Sequence, residues 1–292
     1  SPDVCSSDLK LWKLRKCGEV NYFLGMKITK DEKNLKIDVN GKIMNAIQKF
    51  KMGDCNIVDT PAVAGQVLSK IGTELDKEIP YQSLIGTLLY ISRTCRPDIT
   101  FSISQCGRFS HNTLSEHWKA AKRILRYLKG KSKEGLIFKK DINCEKLIAY
   151  SDSDYAGCTD TRKSRTGYVI LLFGNVISWK SKLQSVVAMS TAEAELIAAV
   201  EAARELIYFR SLLEDIGIEF GKPILYIDNQ PCLDILRNGG HFQRAKHIQI
   251  KYHFLRESMD KGEIELKYIQ SKDNSADIFT KPVTKEVFNR LK

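Results

Sequence analysis

The 292-residue chain has no run of about 18 apolar residues and opens on no signal-peptide-like apolar segment, so nothing in it is expected to enter a membrane. Its eight cysteines, at positions 5, 17, 55, 95, 106, 144, 158 and 232, form no CxxC pair and no spacing suited to zinc. That excludes a zinc ribbon or a disulfide framework and fits thiols acting as small hydrophobes in a reducing, intracellular setting. Acids are in short supply, 35 against 46 lysines and arginines, which leaves a net charge of +11. Such an excess opposes self-association and favours a polyanionic partner, with nucleic acid the first candidate.

What is present is a soluble composition and enough length for two domains. Residues 1–9, SPDVCSSDL, are polar and aperiodic and read as a non-native scar within a poorly defined segment 1–17. The β-rich runs 20–29 and 34–39 flank a polar KDEK turn and predict a hairpin, followed by a helix over 43–50. The stretch 59–79, with Pro61, two glycines and mixed charge, is expected to be a poorly ordered connection. A buried helix is predicted over 81–91, a second opens at Arg96-Pro97-Asp98, and Ser115 is expected to cap an amphipathic third, EHWKAAKRILRYLKG. Lys119, Lys122, Arg123 and Arg126 of that third helix form a basic stripe, a candidate phosphate track.

After Lys133 the pattern turns to β, and a domain boundary falls within 130–145. Strands are expected over 147–152, 168–173 and 176–179, the last two joined through Gly174 and Asn175, with 185–189 a possible extension. STAE at Ser190 to Glu193 reads as a capping box opening a helix to about residue 214. A strand at 224–227, helices at 231–237 and 248–261, a strand at 265–269 and a last helix from Ser275 complete a mixed α/β domain. Because residues 140–292 supply a sheet and covering helices, they are expected to fold independently.

The stretch LIAYSDSDYAG organises this domain. Strand alternation sets Ile148, Tyr150 and Asp152 on one face, so Asp152 caps an otherwise apolar row. An unpaired carboxylate there costs several kcal/mol unless a cation meets it. Asp152, Glu195, Asp228 and Asp277 each end a strand or begin a helix, and hard oxygen donors without a histidine or cysteine cluster select magnesium or manganese. Asp154 and Glu193 fit turn and capping chemistry instead. His247 and His253, six apart on a predicted helix, face away from one another.

The ordered motifs YFLGMKI, YQSLIGTLLYISRTCRPDI, HWKAAKRILRYLKG, AYSDSDYAG, RKSRTGYVI, ISWKSK, STAEAELIAA, IDNQ, AKHIQIKYHFLRE and NSADIFTKP resemble successive landmarks of the polyprotein of copia-type LTR retrotransposons, over about residues 18–290. The resemblance implies the end of a reverse transcriptase palm and thumb at 18–75, a helical connection at 76–140 and a ribonuclease H domain at 141–292. The fold class it implies is α/β: a ribonuclease H-like mixed sheet with covering helices, preceded by a mostly helical region with a β-hairpin. Phe23, Leu24 and Gly25 match the hairpin that grips the primer. No YVDD-like segment is present, so polymerase activity is not expected.

The function implied is hydrolysis of RNA in RNA:DNA hybrids, with Asp152, Glu195, Asp228 and Asp277 holding two divalent cations, Mg2+ or Mn2+. Arg162, Lys163 and Arg165, expected in the loop after the first strand, are further phosphate contacts. Partners implied are the hybrid and the upstream polymerase region, in a cytoplasmic virus-like particle or the nucleus. The rival from another class is a catalytically silent nucleic-acid-binding remnant, whose mark would be a lost acid; all four are present.

Overall fold

The computed structural model describes residues 18–140, 146–218, 220–239 and 246–292. The scar reading of 1–9 and the rest of segment 1–17 lie outside them. The run expected as one strand over 20–29 is two: β1 (Tyr22–Phe23) and β2 (Met26–Lys30) pair antiparallel through Phe23 and Met26. Leu24 and Gly25 turn between them with φ of 48° and 80°. A two-residue turn with both residues left-handed matches strand twist, and the leucine is the unusual occupant. The Tyr90 hydroxyl donates to the Leu24 carbonyl and holds this tip. At the KDEK turn Asp31 Oδ1 accepts from the Lys33 and Asn34 amides at 2.9 and 2.7 Å, turning β2 into β3 (Asn34–Asp38). β4 (Leu136–Lys139) then pairs with β3, so the change to β pattern after Lys133 closes this first sheet before any boundary.

Helices α1 (Asn40–Lys49), α2 (Tyr81–Thr94), α3 (Thr100–Gly107) and α4 (Ser115–Gly130) bury Ile43, Leu84, Leu88, Ile91, Ile124, Leu125 and Leu128 in one core. Pro97 opens a 3-10 turn (Pro97–Ile99) leading into α3, as its missing N–H allows. Ser115 is the first helical residue of α4 and not its cap. The N-cap is Leu114, whose N–H goes to His117 Nδ1 at 3.0 Å, while His117 Nε2 lies 2.8 Å from the Ser69 carbonyl.

That contact also corrects the reading of 59–79. The stretch has neither helix nor strand, yet Leu68 is buried, Leu75 N donates to Thr113 O at 3.0 Å, and Thr73 O accepts from Ser115 N at 2.8 Å. Its backbone groups are satisfied by distant neighbours, which no local periodicity registers.

The second sheet has the order β7-β6-β5-β8-β9. β5 (Leu147–Asp154), β6 (Arg165–Leu172) and β7 (Asn175–Leu183) are antiparallel, while β8 (Ile224–Ile227) and β9 (Glu265–Tyr268) extend the β5 side in parallel. This is the mixed sheet of an α/β domain expected from the sequence. The β6–β7 turn residues are Phe173 and Gly174, one position earlier than expected, with φ of 50° and 72°. Residues 185–189 add no strand, because Gln184 turns the chain away by donating to Thr166 Oγ1 and to the Ala194 carbonyl.

One face of the sheet is covered by α5 (Thr191–Asp215), α6 (Gln230–Asn238) and α7 (Lys246–Asp260), packing on Leu147, Ala149, Ile170, Leu225 and Leu266. Among the described residues, the other face is covered by the 275–279 turn and by the first region's helices. Val169 and Trp179 pack on the first region's core, where the Trp179 indole donates to Ser92 O at 3.2 Å. The last helix expected from Ser275 is a 3-10 turn (Ser275–Phe279) followed by α8 (Lys285–Leu291), and Phe288 of α8 sits edge-on to Tyr127 at 5.8 Å. Hence residues 140–292 do not bring all of their covering helices, and the two regions share a core. Among the described residues no helix is long and apolar enough to cross a membrane.

Candidate functional site

β5 and β8 lie side by side and parallel, with Ser151 opposite Ile227, so their C-terminal ends deliver Asp152 and Asp228 to one edge of the sheet. The 3-10 turn at 275–279 brings Asp277 to the same place. Carboxylate oxygens of Asp152, Asp228 and Asp277 all lie within 4.8 Å of one another. Glu195 approaches from the second turn of α5, its Oε1 accepting from Ser153 N at 3.2 Å and Ser153 Oγ at 2.8 Å. The structure therefore brings together all four acids singled out in the sequence, three of them less than a tenth exposed.

Three residues that hold this arrangement were not singled out. Asn274, fully buried, donates through Nδ2 to the Ser151 carbonyl at 2.9 Å and accepts from Ala276 N at 3.0 Å, tying the turn to β5. Thr280, also fully buried, donates to Asp152 Oδ2. Lys281 Nζ lies 2.9 Å from Asp277 Oδ1 and 3.9 Å from Asp152 Oδ2. The one sequence signal was the Asn two residues before Ala276, a capping pattern at the start of a turn.

Burial raises the pKa of all four acids, and their mutual repulsion adds to it. Glu195 is pushed well above the usual carboxylate range by burial and then by Asp152 and Asp228. Asp152 is raised by burial and Asp277, with Lys281 opposing; Asp228 by burial and Asp152; Asp277 by burial and Asp228, again against Lys281. An acid whose pKa is higher folded than unfolded binds more protons in the folded state, so its contribution to stability falls as pH rises through the folded pKa. In EDTA the chain is expected to gain stability as pH falls from 8 toward 5. Glu195→Gln is expected to flatten that rise in thermal melts; an identical slope in the variant would contradict the crowding described here.

The turn that carries Asp277 fits against β6 only because residue 167, opposite Asp152, is glycine. A Cβ there would stand 2.6 Å from Thr280 Cγ2 and 2.8 Å from Phe279 Cβ. Gly167→Ala is expected to push the 277–280 turn off the sheet and cost about 1–3 kcal/mol, the range for overpacking, read as a lower urea midpoint. An unchanged midpoint would show that the turn has room to spare.

Glu193 stands apart from the four, while Asp154, whose pKa is raised by burial and then by Asp152, lies near them but outside the Asp152–Asp228–Asp277 cluster. Glu193 N donates to Ser190 Oγ at 3.1 Å, the expected cap, while the Glu193 carboxylate accepts from Met189 N and not from Ser190. Asp154, the last residue of β5, pairs in register with Arg165.

The basic residues divide sharply. Lys119 is open to solvent and Lys122 lies over Trp118, but Arg123 Nη2 donates to Thr60 Oγ1 at 3.0 Å and Arg126 Nε to the Asn56 carbonyl at 2.7 Å. Of the basic stripe expected as a phosphate track, two of the four residues, Arg123 and Arg126, thus clamp the 56–60 segment. Arg165 is not in a loop but is the first residue of β6, 2% exposed, donating to Ser104 Oγ at 2.7 Å; burial lowers its pKa to about 10. Arg162 is exposed and Lys163 half-buried. Phe23 and Leu24 are exposed at the β1–β2 tip. His253 is exposed, and the side chain of His247 lies outside the described residues.

Among the described residues, the cluster's donors are all carboxylate oxygens. Beside that set, Glu195 Oε2 is buried and accepts no hydrogen bond. Both features fit a hard divalent cation such as Mg2+ or Mn2+.

No protein-family model matches the chain. It is 35% identical to the retrovirus-related Pol polyprotein from transposon TNT 1-94 of Nicotiana tabacum, over 97% of this chain and 22% of that protein. It is also 35% identical to the corresponding polyprotein of transposon RE1 of Arabidopsis thaliana, over 94% of this chain and 19% of that protein. The chain thus spans about a fifth of the length of these curated relatives. Among solved structures, the foamy viral protease-reverse transcriptase in complex with RNA/DNA hybrid covers 91% of this chain and 31% of its own, with a TM-score of 0.45 and 15% identity. With nearly its whole length aligned to these polyproteins at this identity, the chain belongs to the Pol polyprotein family of copia-type LTR retrotransposons.

Proposed function

We propose that the chain acts as a ribonuclease H, hydrolysing the RNA strand of RNA:DNA hybrids formed in reverse transcription. The observation that carries this reading is the convergence of Asp152, Asp228 and Asp277 within 4.8 Å, with Glu195 behind them, on a ribonuclease H-like sheet. In this reading the domain is residues 141–292, preceded by a palm and thumb end at 18–75 and a connection at 76–140.

Asp152, Glu195, Asp228 and Asp277 hold the cations. Two divalent ions, when bound, activate a water and stabilise the departing 3′ oxygen. Ser153, Asn274 and Thr280 keep the carboxylates aimed, so little reorganisation is needed when substrate arrives. Retention of all four acids favours catalysis over a silent remnant. Lys119, Lys122, Arg162 and Lys163 meet the hybrid's phosphates, and the Phe23-Leu24-Gly25 tip meets the strand backbone. Arg123, Arg126 and Arg165 are withdrawn from that list because their guanidinium groups are engaged within the fold.

The choice of RNA over DNA rests on 2′-hydroxyl groups across the wide minor groove of the hybrid. A hybrid with a short RNA tract inside an otherwise DNA strand tests the reading. Cleavage confined to the tract supports it; cutting of the DNA flanks at a similar rate would sink it.

A further inference from the structure

Among the described residues, Lys281 is the only lysine or arginine ion-paired with any of the four clustered acids. Its Nζ stands 2.9 Å from Asp277 Oδ1 and 3.9 Å from Asp152 Oδ2, although its side chain keeps 42% of its exposure while those of Asp152 and Asp277 keep 4% and 10%. The stem therefore runs in from solvent and leaves its charged end at the acids, a geometry from which it can also withdraw. Its backbone is fixed, since Lys281 N donates to Asp277 O at 3.2 Å and neighbouring Thr280 is locked under Gly167. No base or acid chemistry is needed of it. A fixed backbone and a long side chain leave the ammonium two places to be, in the cluster or outside it.

We propose that Lys281 is a positioning residue that fills the place of a divalent cation, bridging Asp152 and Asp277 while the site is empty of metal and swinging out to solvent when metal enters. The inference rests on the proposed function, because it presumes that these acids bind metal. Two consequences follow with opposite signs. In the absence of metal the ammonium offsets repulsion between buried carboxylates, so its loss destabilises the fold. In the presence of metal the same ammonium competes for the carboxylates, so its loss strengthens metal binding. A purely structural role predicts the reverse of the second, since a loosened site binds metal more weakly.

The test is titration of Mn2+ into the full chain by calorimetry without nucleic acid, alongside thermal melts in EDTA. Lys281→Met, which keeps the apolar stem and removes the charge, is expected to bind Mn2+ about tenfold more tightly than wild type and to melt lower in EDTA. Lys281→Arg, which keeps the charge, is expected to stay close to wild type in both. If Lys281→Met is too unstable in EDTA to measure, Lys281→Arg decides: it must preserve both the metal-free melt and the Mn2+ affinity. Wild type that binds Mn2+ while Lys281→Met binds it equally or more weakly overturns this inference and leaves the proposed function standing. Wild type that binds no Mn2+ overturns both.

Discussion

Asp152→Asn is expected to lower magnesium-dependent cleavage of an RNA:DNA hybrid by about a thousandfold or more, a loss of roughly 4 kcal/mol of transition-state stabilisation. Asp228→Asn should do the same. The amide keeps the shape of the side chain and its hydrogen bonds but removes one negative oxygen from a cluster whose members lie within 4.8 Å. Hybrid binding should be unchanged or tighter, since less negative charge faces the phosphates. The metal-free fold should be stabilised, because burial and neighbouring acids hold both groups above the ordinary carboxylate range. Asp154→Asn and Glu193→Gln are the controls. Glu193 serves the start of α5 and Asp154 ends β5 beside Arg165, so both variants should keep most activity. Controls that lose cleavage while Asp152→Asn retains it would mean that the site has been misassigned.

Asp98→Asn is expected to cost about 3–5 kcal/mol of stability, the range for stranding one member of a buried ion pair. Asp98 and Arg96 are 4% and 1% exposed, and the guanidinium grips both carboxylate oxygens at 2.6 and 2.9 Å. Burial pushes the Asp98 carboxyl up, but Arg96, then Lys292 and Tyr127, more than reverse it and leave it below its ordinary value. The Tyr127 hydroxyl donates to Asp98 Oδ2 at 2.6 Å, and Lys292 Nζ, from the far end of the chain, approaches that oxygen at 3.6 Å. This network therefore sits where the helical region meets the segment that follows Asp277. At roughly 2–4 °C per kcal/mol the thermal midpoint should fall by about 6–20 °C. Arg96→Met combined with Asp98→Asn should recover part of the loss, because no guanidinium is then left unpaired. A single variant that melts with wild type would show that solvent reaches this pair.

The clustered acids were legible because local pattern marks the boundaries where they stand: an apolar run stops at Asp152 and at Asp228, and a capped helix starts just before Glu195. The sheet was legible for the same reason, since alternation and turn residues are local. What the sequence hid depends on contacts between distant segments. Arg165 looks like a loop cation because it follows Arg162 and Lys163, yet strand pairing with Leu183 takes it into the interior beside Ser104. The 59–79 stretch looks unstructured because its hydrogen bonds run to residues such as Thr113 and Ser115. Arg123 and Arg126 read as surface charge because nothing local announces that Thr60 and Asn56 return to meet them. Thr280 and Lys281 escaped notice because they gain their roles only when the 3-10 turn folds back on β5 and β6.

The shared core gives those missed contacts a common direction. Ile278, Phe279 and Phe288, which flank or follow Asp277, belong to the same cluster as Leu84, Leu88 and Leu128 of the helical region. Burying one such side chain contributes roughly 1.5–3 kcal/mol. The turn that brings Asp277 to the site is therefore held from both sides, by Asn274 and Gly167 on the sheet and by apolar packing against the helices.

The measurement closest to the central claim uses the full chain, shown to be folded by a cooperative melt, and a hybrid labelled separately on its RNA and DNA strands. Increasing Mg2+ should produce cleavage of the RNA strand alone, EDTA should stop it, and Asp152→Asn should not support it at any Mg2+ concentration. RNA cleavage that persists in EDTA, or folded wild-type chain that leaves the RNA intact throughout the Mg2+ titration, would contradict the assignment of Asp152, Glu195, Asp228 and Asp277 as one metal-binding nuclease site.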